Sequence, residues 1–284
     1  MTLREAYNEA KRRLQASGAD CPEFDAACVF EKYTGISRGE LPLRAGDEAT
    51  LPEAFWRDIA RRQSGEPLQY ILGEWEFMGL GFFVGPGVLI PRPETELLAC
   101  TAIDALRGKK TPRMLELCAG SGCVTISAAE ALPRLTAICV ELSPGAMGYL
   151  KKNIARHGLG DRVEARYGDM LDKSCPDVCG GTFDAIVCNP PYIKSGDIPT
   201  LQREIREHEP ALALDGGADG LRFYRALGSF ARLLAPGGTA ACEIGEGQAG
   251  EVKKMFENAG LAHVRTQQDL GGIERVVSGT RDCI

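Results

Sequence analysis

From residue 114 onward, short apolar runs alternate with amphipathic stretches, and this alternation constrains the fold more than any other feature of the 284-residue chain. Residues 114–117, 136–140, 163–167, 183–188 and 239–244 are each too short for a typical helix and read as buried strands. Between them lie helical patterns. One follows residue 122 with Val124, Ile126 and Ala128, and one starts at Ser143-Pro144 and carries Met147, Leu150 and Ile154. A long helix is predicted over 221–234, closed by Pro236-Gly237-Gly238, and a shorter one over 252–256. Two last strands are expected near 264–266 and 275–277. Strand and helix in alternation imply right-handed crossovers on a mostly parallel sheet covered on both faces, an α/β architecture.

The front of the chain has a different texture. Leu3, Ala6, Tyr7, Ala10 and Leu14 fall on one face of a first helix, and Pro22 opens a second. Thr50, with Glu53 three residues on, has the form of a capping box for a helix through Phe55, Trp56, Ile59 and Ala60 to Arg62. Residues 1–73 are therefore expected to form a small helical bundle, with 65–73 as a connector. Residues 74–91 are expected to form a hairpin linker, with Phe77, Leu80, Phe82 and Phe83 in its arms. The α/β domain then takes 92–284, starting with a helix over Thr95–Leu106.

The chain is 44% hydrophobic, ample for a core, and its net charge of −6 argues against a protein that grips nucleic acid through its whole surface. Arg61 and Arg62 read as a water-facing helix face rather than a nucleic-acid patch. No run approaches 18 apolar residues and the first ten lack a signal-peptide core, so no membrane contact is expected and the cytoplasm is the expected location. The eleven cysteines are expected mainly as core filler in a reducing compartment, Cys28, Cys100, Cys139, Cys188 and Cys242 among them. Neither Cys118/Cys123 nor Cys175/Cys179 has the two-residue knuckle spacing, and no histidine adjoins them, so no metal is expected.

Four stretches carry chemistry. Glu116-Leu117-Cys118-Ala119-Gly120-Ser121-Gly122 places two glycines between a strand and a helix, a loop that lets a ligand approach the backbone; a plain turn reads the same way. Glu141, at the end of the second strand, is placed to accept two ribose hydroxyls, or is simply a charge where a strand meets water. Gly168-Asp169 ends the third strand, where a carboxylate can bond an adenine amino group or cap a solvated turn. Asn189-Pro190-Pro191-Tyr192 ends the fourth. There two prolines without N–H groups stop the strand and leave an amide, a stiff corner and a ring at the edge where α/β sheets bind ligands. The Asn189 side-chain oxygen and the Pro190 carbonyl can accept two hydrogen bonds from a planar NH₂, with Tyr192 covering it; Pro-Pro also occurs in ordinary loops.

Together these residues resemble the class I methyltransferases that use S-adenosylmethionine, and nearly the whole chain resembles the release factor glutamine methyltransferase family. The likeness rests on residues 65–73, Leu89-Ile90-Pro91-Arg92-Pro93-Glu94-Thr95-Glu96, the glycine loop, residues 183–192, Glu209-Pro210-Ala211-Leu212 and 216–220. The resemblance implies a helical N-terminal domain that docks the protein substrate, a hairpin linker and a Rossmann-like seven-stranded sheet. It implies methyl transfer from S-adenosyl-L-methionine to the amide nitrogen of the glutamine in the Gly-Gly-Gln loop of peptide chain release factors, with S-adenosyl-L-homocysteine as product; separately, a monomer is expected. Carried onto this chain, Glu116, Cys118, Ala119, Gly120, Ser121 and Gly122 would wrap the methionine part of the cofactor, Glu141 its ribose, and Asp169 with Met170 its adenine. Asn189, Pro190, Pro191 and Tyr192 would hold the amide, with Asn189 also beside the cofactor, and residues 92–96, with Arg92 and Glu94 toward the substrate, would help close the site. The family pattern has glycine where Cys118 stands, so Cys118 is expected to adopt a backbone open to side-chain residues. The Asn-Pro-Pro-Tyr motif is shared with enzymes that methylate adenine in DNA or guanine in RNA, which is the alternative activity; a non-catalytic binding protein is the other.

Overall fold

Reciprocal capping starts the first helix of the chain. The computed structural model describes residues 1–48 and 50–282. In α1 (Leu3–Ala16) the Thr2 hydroxyl accepts from the Glu5 N–H and the Glu5 carboxylate accepts from the Thr2 N–H. α2 (Pro22–Thr34) has Pro22 in its first turn and stops at Gly35, whose φ of +66° suits glycine. α3 (Leu41–Arg44), α4 (Glu53–Gln63) and α5 (Leu68–Leu72) follow. The Thr50 cap expected for α4 does not form. Pro52, in extended conformation at φ −66° and ψ 156°, is itself the N-cap, and no side chain bonds the first turn.

The chain divides into two compact units, one of residues 1–75 with 202–208 and one of 76–201 with 209 onward. The first unit has its own core, with Leu3, Ala6, Ala10 and Leu14 of α1 meeting Phe30 of α2 and Phe55 and Ile59 of α4. Phe30 and Phe55 meet edge to face with centroids 6.2 Å apart. Arg62 does not face water. It is 9% exposed, and its Nε donates to Asp25 Oδ2 at 2.7 Å while Nη1 donates to Glu204 Oε2 at 2.8 Å. Phe55, Asp58, Ile59 and Arg62 recur at helical spacing, so Arg62 falls on the buried stripe of α4.

The hairpin β1 (Glu74–Phe77) and β2 (Leu80–Phe83) comes next in the chain. The second unit continues through α6 (Thr95–Leu106), β3 (Arg113–Leu117), α7 (Cys123–Ala131), β4 (Thr136–Glu141), α8 (Pro144–Arg156), β5 (Val163–Tyr167), α9 (Cys175–Cys179) and β6 (Phe183–Cys188). The short helix α10 (Arg203–His208) belongs to the first unit; α11 (Arg222–Leu227), β7 (Leu234–Glu243), α12 (Ala249–Asn258), β8 (Ala262–Gln268) and β9 (Glu274–Thr280) complete the second. The seven-stranded sheet has the order β5-β4-β3-β6-β7-β9-β8. Its first five strands are parallel, and β9 runs antiparallel to both β7 and β8. From β3 the chain winds outward through β4 and β5, then returns to lay β6 on the other flank. That reversal opens a crevice at the C-terminal ends of β3 and β6.

The long helix expected over 221–234 is an α-helix to Leu227 and a 3₁₀ helix over Gly228–Leu233. The Pro236-Gly237-Gly238 stretch lies inside β7 rather than closing a helix. Phe183 pairs with Leu234 and Ala185 with Thr239, so β7 bulges there, and Gly237 and Gly238 exchange hydrogen bonds with Arg281. Among the cysteines, Cys139, Cys188 and Cys242 are buried and Cys28 is half-buried, but Cys100 sits on the exposed side of α6. Asn153, fully buried on α8, accepts from the Phe83 N–H at 2.7 Å and donates to the carbonyls of Phe83 and Ser121, fastening β2 and the glycine loop to one side chain.

Candidate active site

A cavity of about 420 Å³ opens at the crevice, and most of the residues singled out in the sequence lie on its wall. β3 delivers Glu116 and runs into a turn in which Cys118, Gly120 and Gly122 all have positive φ, at +55°, +56° and +79°. The expectation of an ordinary backbone at Cys118 is therefore overturned. Cys118 stands in the left-handed region just before the turn that brings the Gly122 N–H to the Ala119 carbonyl at 2.8 Å, a backbone to which glycine is suited. The Cys118 side chain rests on Met170, Sγ to Sδ at 3.3 Å. A methyl group on Gly120 would meet no protein atom within 4 Å, so that backbone is open to a ligand. Gly122 serves packing instead. A Cβ there would lie 2.5 Å from Leu150 Cδ1, and the residue is not on the cavity wall.

Two carboxylates on neighbouring strands border this loop. Glu116 is 3% exposed, and its Oε2 accepts from the Thr125 N–H at 3.1 Å; burial pushes its pKa up to about 7. Glu141 accepts from the Gly120 N–H at 2.8 Å on one oxygen and the Ser143 N–H at 2.7 Å on the other. Burial raises its pKa as well, against backbone hydrogen bonds from Ser143, Gly120 and Leu142. Ala119, Ser121, Asp169 and Met170 also line the cavity, with Asp169 Oδ1 held by the Leu171 N–H at 2.8 Å.

Asn189, half-buried at the end of β6, is on the same wall, as are Pro191 and Arg92. Pro190, Tyr192 and Glu94 are not. Tyr192 points its hydroxyl at Glu243 Oε1, 3.3 Å away, and its carbonyl accepts from Gln248 Nε2 at 2.9 Å. Glu94 precedes α6 as its N-cap without bonding the helix through its side chain. Arg92 donates to the buried carboxylate of Glu209, whose other oxygen accepts from the Ile90 N–H at 3.2 Å. Gly216 and Gly220 are explained by close approach: a Cβ would lie 2.8 Å from the Pro191 carbonyl oxygen at the first and 2.4 Å from that of Tyr192 at the second.

Sequence reasoning missed Glu243 as part of this machinery and gave Thr95 and Glu209 no individual role. Glu243 ends β7, is 2% exposed, and accepts from Thr95 Oγ1 at 2.6 Å as well as from Tyr192; burial pushes its pKa up to about 7. The available signal was one acid in the otherwise apolar 239–244 run.

Two family profiles match the chain, "PrmC N-terminal domain" over residues 5–73 and "Conserved hypothetical protein 95" over residues 82–215. A protein of Geobacter sulfurreducens named release factor glutamine methyltransferase is 45% identical over 98% of this chain and 96% of its own length. One of the same name from Caulobacter vibrioides is 36% identical over 99% of this chain and 97% of its own. A crystal structure of a methyltransferase from Pyrococcus furiosus, 20% identical, superposes with a TM-score of 0.54 over 78% of this chain and 97% of that one, a likeness of fold.

Proposed function

The chain belongs to the release factor glutamine methyltransferase family, and we propose from that premise that it moves a methyl group from S-adenosyl-L-methionine to the side-chain amide nitrogen of the Gly-Gly-Gln glutamine of peptide chain release factors. The cavity residues fit this cofactor. Glu116 and Glu141 supply two buried carboxylates suited to its ammonium group and ribose hydroxyls, and the bare Gly120 backbone leaves room against the loop. Met170 offers an apolar wall, with Asp169 beside it to accept from the adenine amine. S-adenosylmethionine supplies an electrophilic methyl group on a sulfonium.

The protein's task is then to present the acceptor. An amide nitrogen is a poor nucleophile, because its lone pair is delocalised into the carbonyl. Asn189 Oδ1 and the Pro190 carbonyl accept its two N–H bonds, which enriches the nitrogen and turns it toward the methyl group. Fixed acceptors and proximity supply the rate without a dedicated base, and the surplus proton leaves to water. The helical unit docks the release factor. No helix among the described residues is long and apolar enough to cross a membrane.

The observation that carries this reading is Asn189 at the end of β6, on the same cavity wall as Glu116 and Glu141. The test is intact mass and fragment mapping of a release factor incubated with the protein and S-adenosylmethionine. The expected result is a gain of one methyl group on the Gly-Gly-Gln glutamine, reduced at least about a hundredfold in rate by Asn189→Ala. Labelled methyl on DNA or RNA and none on the release factor would overturn it.

A further inference from the structure

Asn189 is bonded to a neighbour on the cavity wall, Thr95. Its Nδ2 donates to Thr95 Oγ1 at 3.1 Å, and Thr95 Oγ1 donates to Glu243 Oε2 at 2.6 Å. The chain of bonds thus links three elements: the end of β6, the first turn of α6 and the end of β7. The second Glu243 oxygen is taken by the Tyr192 hydroxyl, and Glu94 and Arg275 are charged groups that act on the carboxylate, Glu94 raising its pKa and Arg275 lowering it. Thr95 and Glu243 are both 2% exposed, so neither bond competes with bulk water.

Once Glu243 is ionised, above its pKa of about 7, the polarity of this chain is forced. A hydroxyl has one proton. At 2.6 Å from a carboxylate oxygen, the Thr95 proton is spent on Glu243, in the range of a charge-assisted bond. Only a lone pair of Thr95 is left to face Asn189, and a lone pair is satisfied by NH₂ and repelled by a carbonyl oxygen. The Asn189 amide therefore has one permitted orientation, with Nδ2 inward and Oδ1 left as its sole acceptor. Reversed, it would offer NH₂ to the NH₂ of an incoming amide, donor against donor.

We infer that Thr95 and Glu243 are positioning residues, whose hydroxyl-to-carboxylate bond sets the Asn189 side chain so that its oxygen meets the acceptor amide. The inference rests on the reading of Asn189 given above and adds the device that orients it. It makes the Thr95 hydroxyl, rather than its methyl group, the functional part.

The test compares Thr95→Val, which keeps shape and loses the hydroxyl, with Thr95→Ser, which keeps the hydroxyl. Selective ¹⁵N labelling of asparagine, with Asn189→Ala for assignment, reads the Asn189 Nδ2 protons directly, without any reaction. Thr95→Val is expected to move that resonance and unprotect it from exchange, and to lower kcat at least about tenfold with cofactor Kd within about twofold. Thr95→Ser is expected to keep the resonance and kcat within about threefold. Glu243→Leu, which removes both acceptor oxygens and frees the Thr95 proton, is expected to move the same resonance and supports the inference if Thr95→Val fails to fold. An Asn189 resonance unchanged in Thr95→Val or Glu243→Leu, or a Thr95→Ser as impaired as Thr95→Val, would overturn it. A spectrum that responds as expected in a protein that does not methylate release factors would retain the positioning device and reject the substrate.

Discussion

Cys118 holds a backbone conformation that favours glycine. At φ +55° the side chain sits in the left-handed region, where a Cβ crowds the following carbonyl at a cost of about 1–2 kcal/mol. The sulfur contact with Met170 and the lower unfolded-state entropy of a non-glycine residue offset part of that. Cys118→Gly is accordingly expected to raise stability by about 1 kcal/mol. It should leave methyl transfer intact, because the Gly120 backbone and both loop carboxylates are untouched. Urea unfolding with a parallel activity assay checks this, and a less stable Gly variant would show that packing outweighs strain.

At the scale of elements, the C-terminal edge of the sheet gathers buried acids. Glu116 lies on β3, Glu141 ends β4 and Glu243 ends β7, all with pKa raised by burial, Glu116 and Glu243 to about 7. A parallel sheet aimed at a cationic ligand produces this charge pattern and bears a folding penalty for it when the ligand is absent. The sign follows from proton binding. A carboxyl whose folded pKa lies above its unfolded value of 4.5 holds more protons in the folded state between those limits. The contribution of these buried acids to stability therefore falls as pH rises from about 4.5 to 7 and stays low above that. Glu116 alone should account for roughly 3 kcal/mol of the fall. Glu116→Gln is expected to flatten the decline in urea unfolding free energy between pH 5 and 8; a slope equal to that of the parent would refute it.

At the scale of the whole molecule, the helical unit is not a contiguous stretch. Residues 202–208, ten positions beyond Tyr192, belong with residues 1–75, and the Arg62 guanidinium joins Glu204 to Asp25 within that unit. Cutting the chain at residue 73 would strip α10 of its partners, so a truncation is a poor probe of docking. Arg62→Ala probes instead what holds this unit together. It would leave Asp25, 4% exposed, with no counter-charge and is expected to cost about 3 kcal/mol in urea unfolding. A change below about 1 kcal/mol would mean that the pair is solvated in solution.

The sequence by itself determined the alternation of strand and helix, the helical front and the order of the chemical motifs along the chain. These are written in local signals: periodicity, prolines that stop β6, and glycines that turn the loop after β3. It also placed Glu116, Glu141 and Asn189 at strand ends, because the end of an apolar run is visible without knowing its neighbours. Tertiary structure decided what depends on partners distant in sequence. Arg62 looked wet beside Arg61 until Asp25 and Glu204 closed on it, and Pro236-Gly237-Gly238 looked like a helix stop until Phe183 and Arg281 drew it into β7. Thr95 and Glu243 are 148 positions apart, and only the packing of α6 against the sheet makes them one hydrogen-bonded unit. A local pattern records which face of an element is apolar; it does not record which polar group waits on the other side, and that is what orients Asn189.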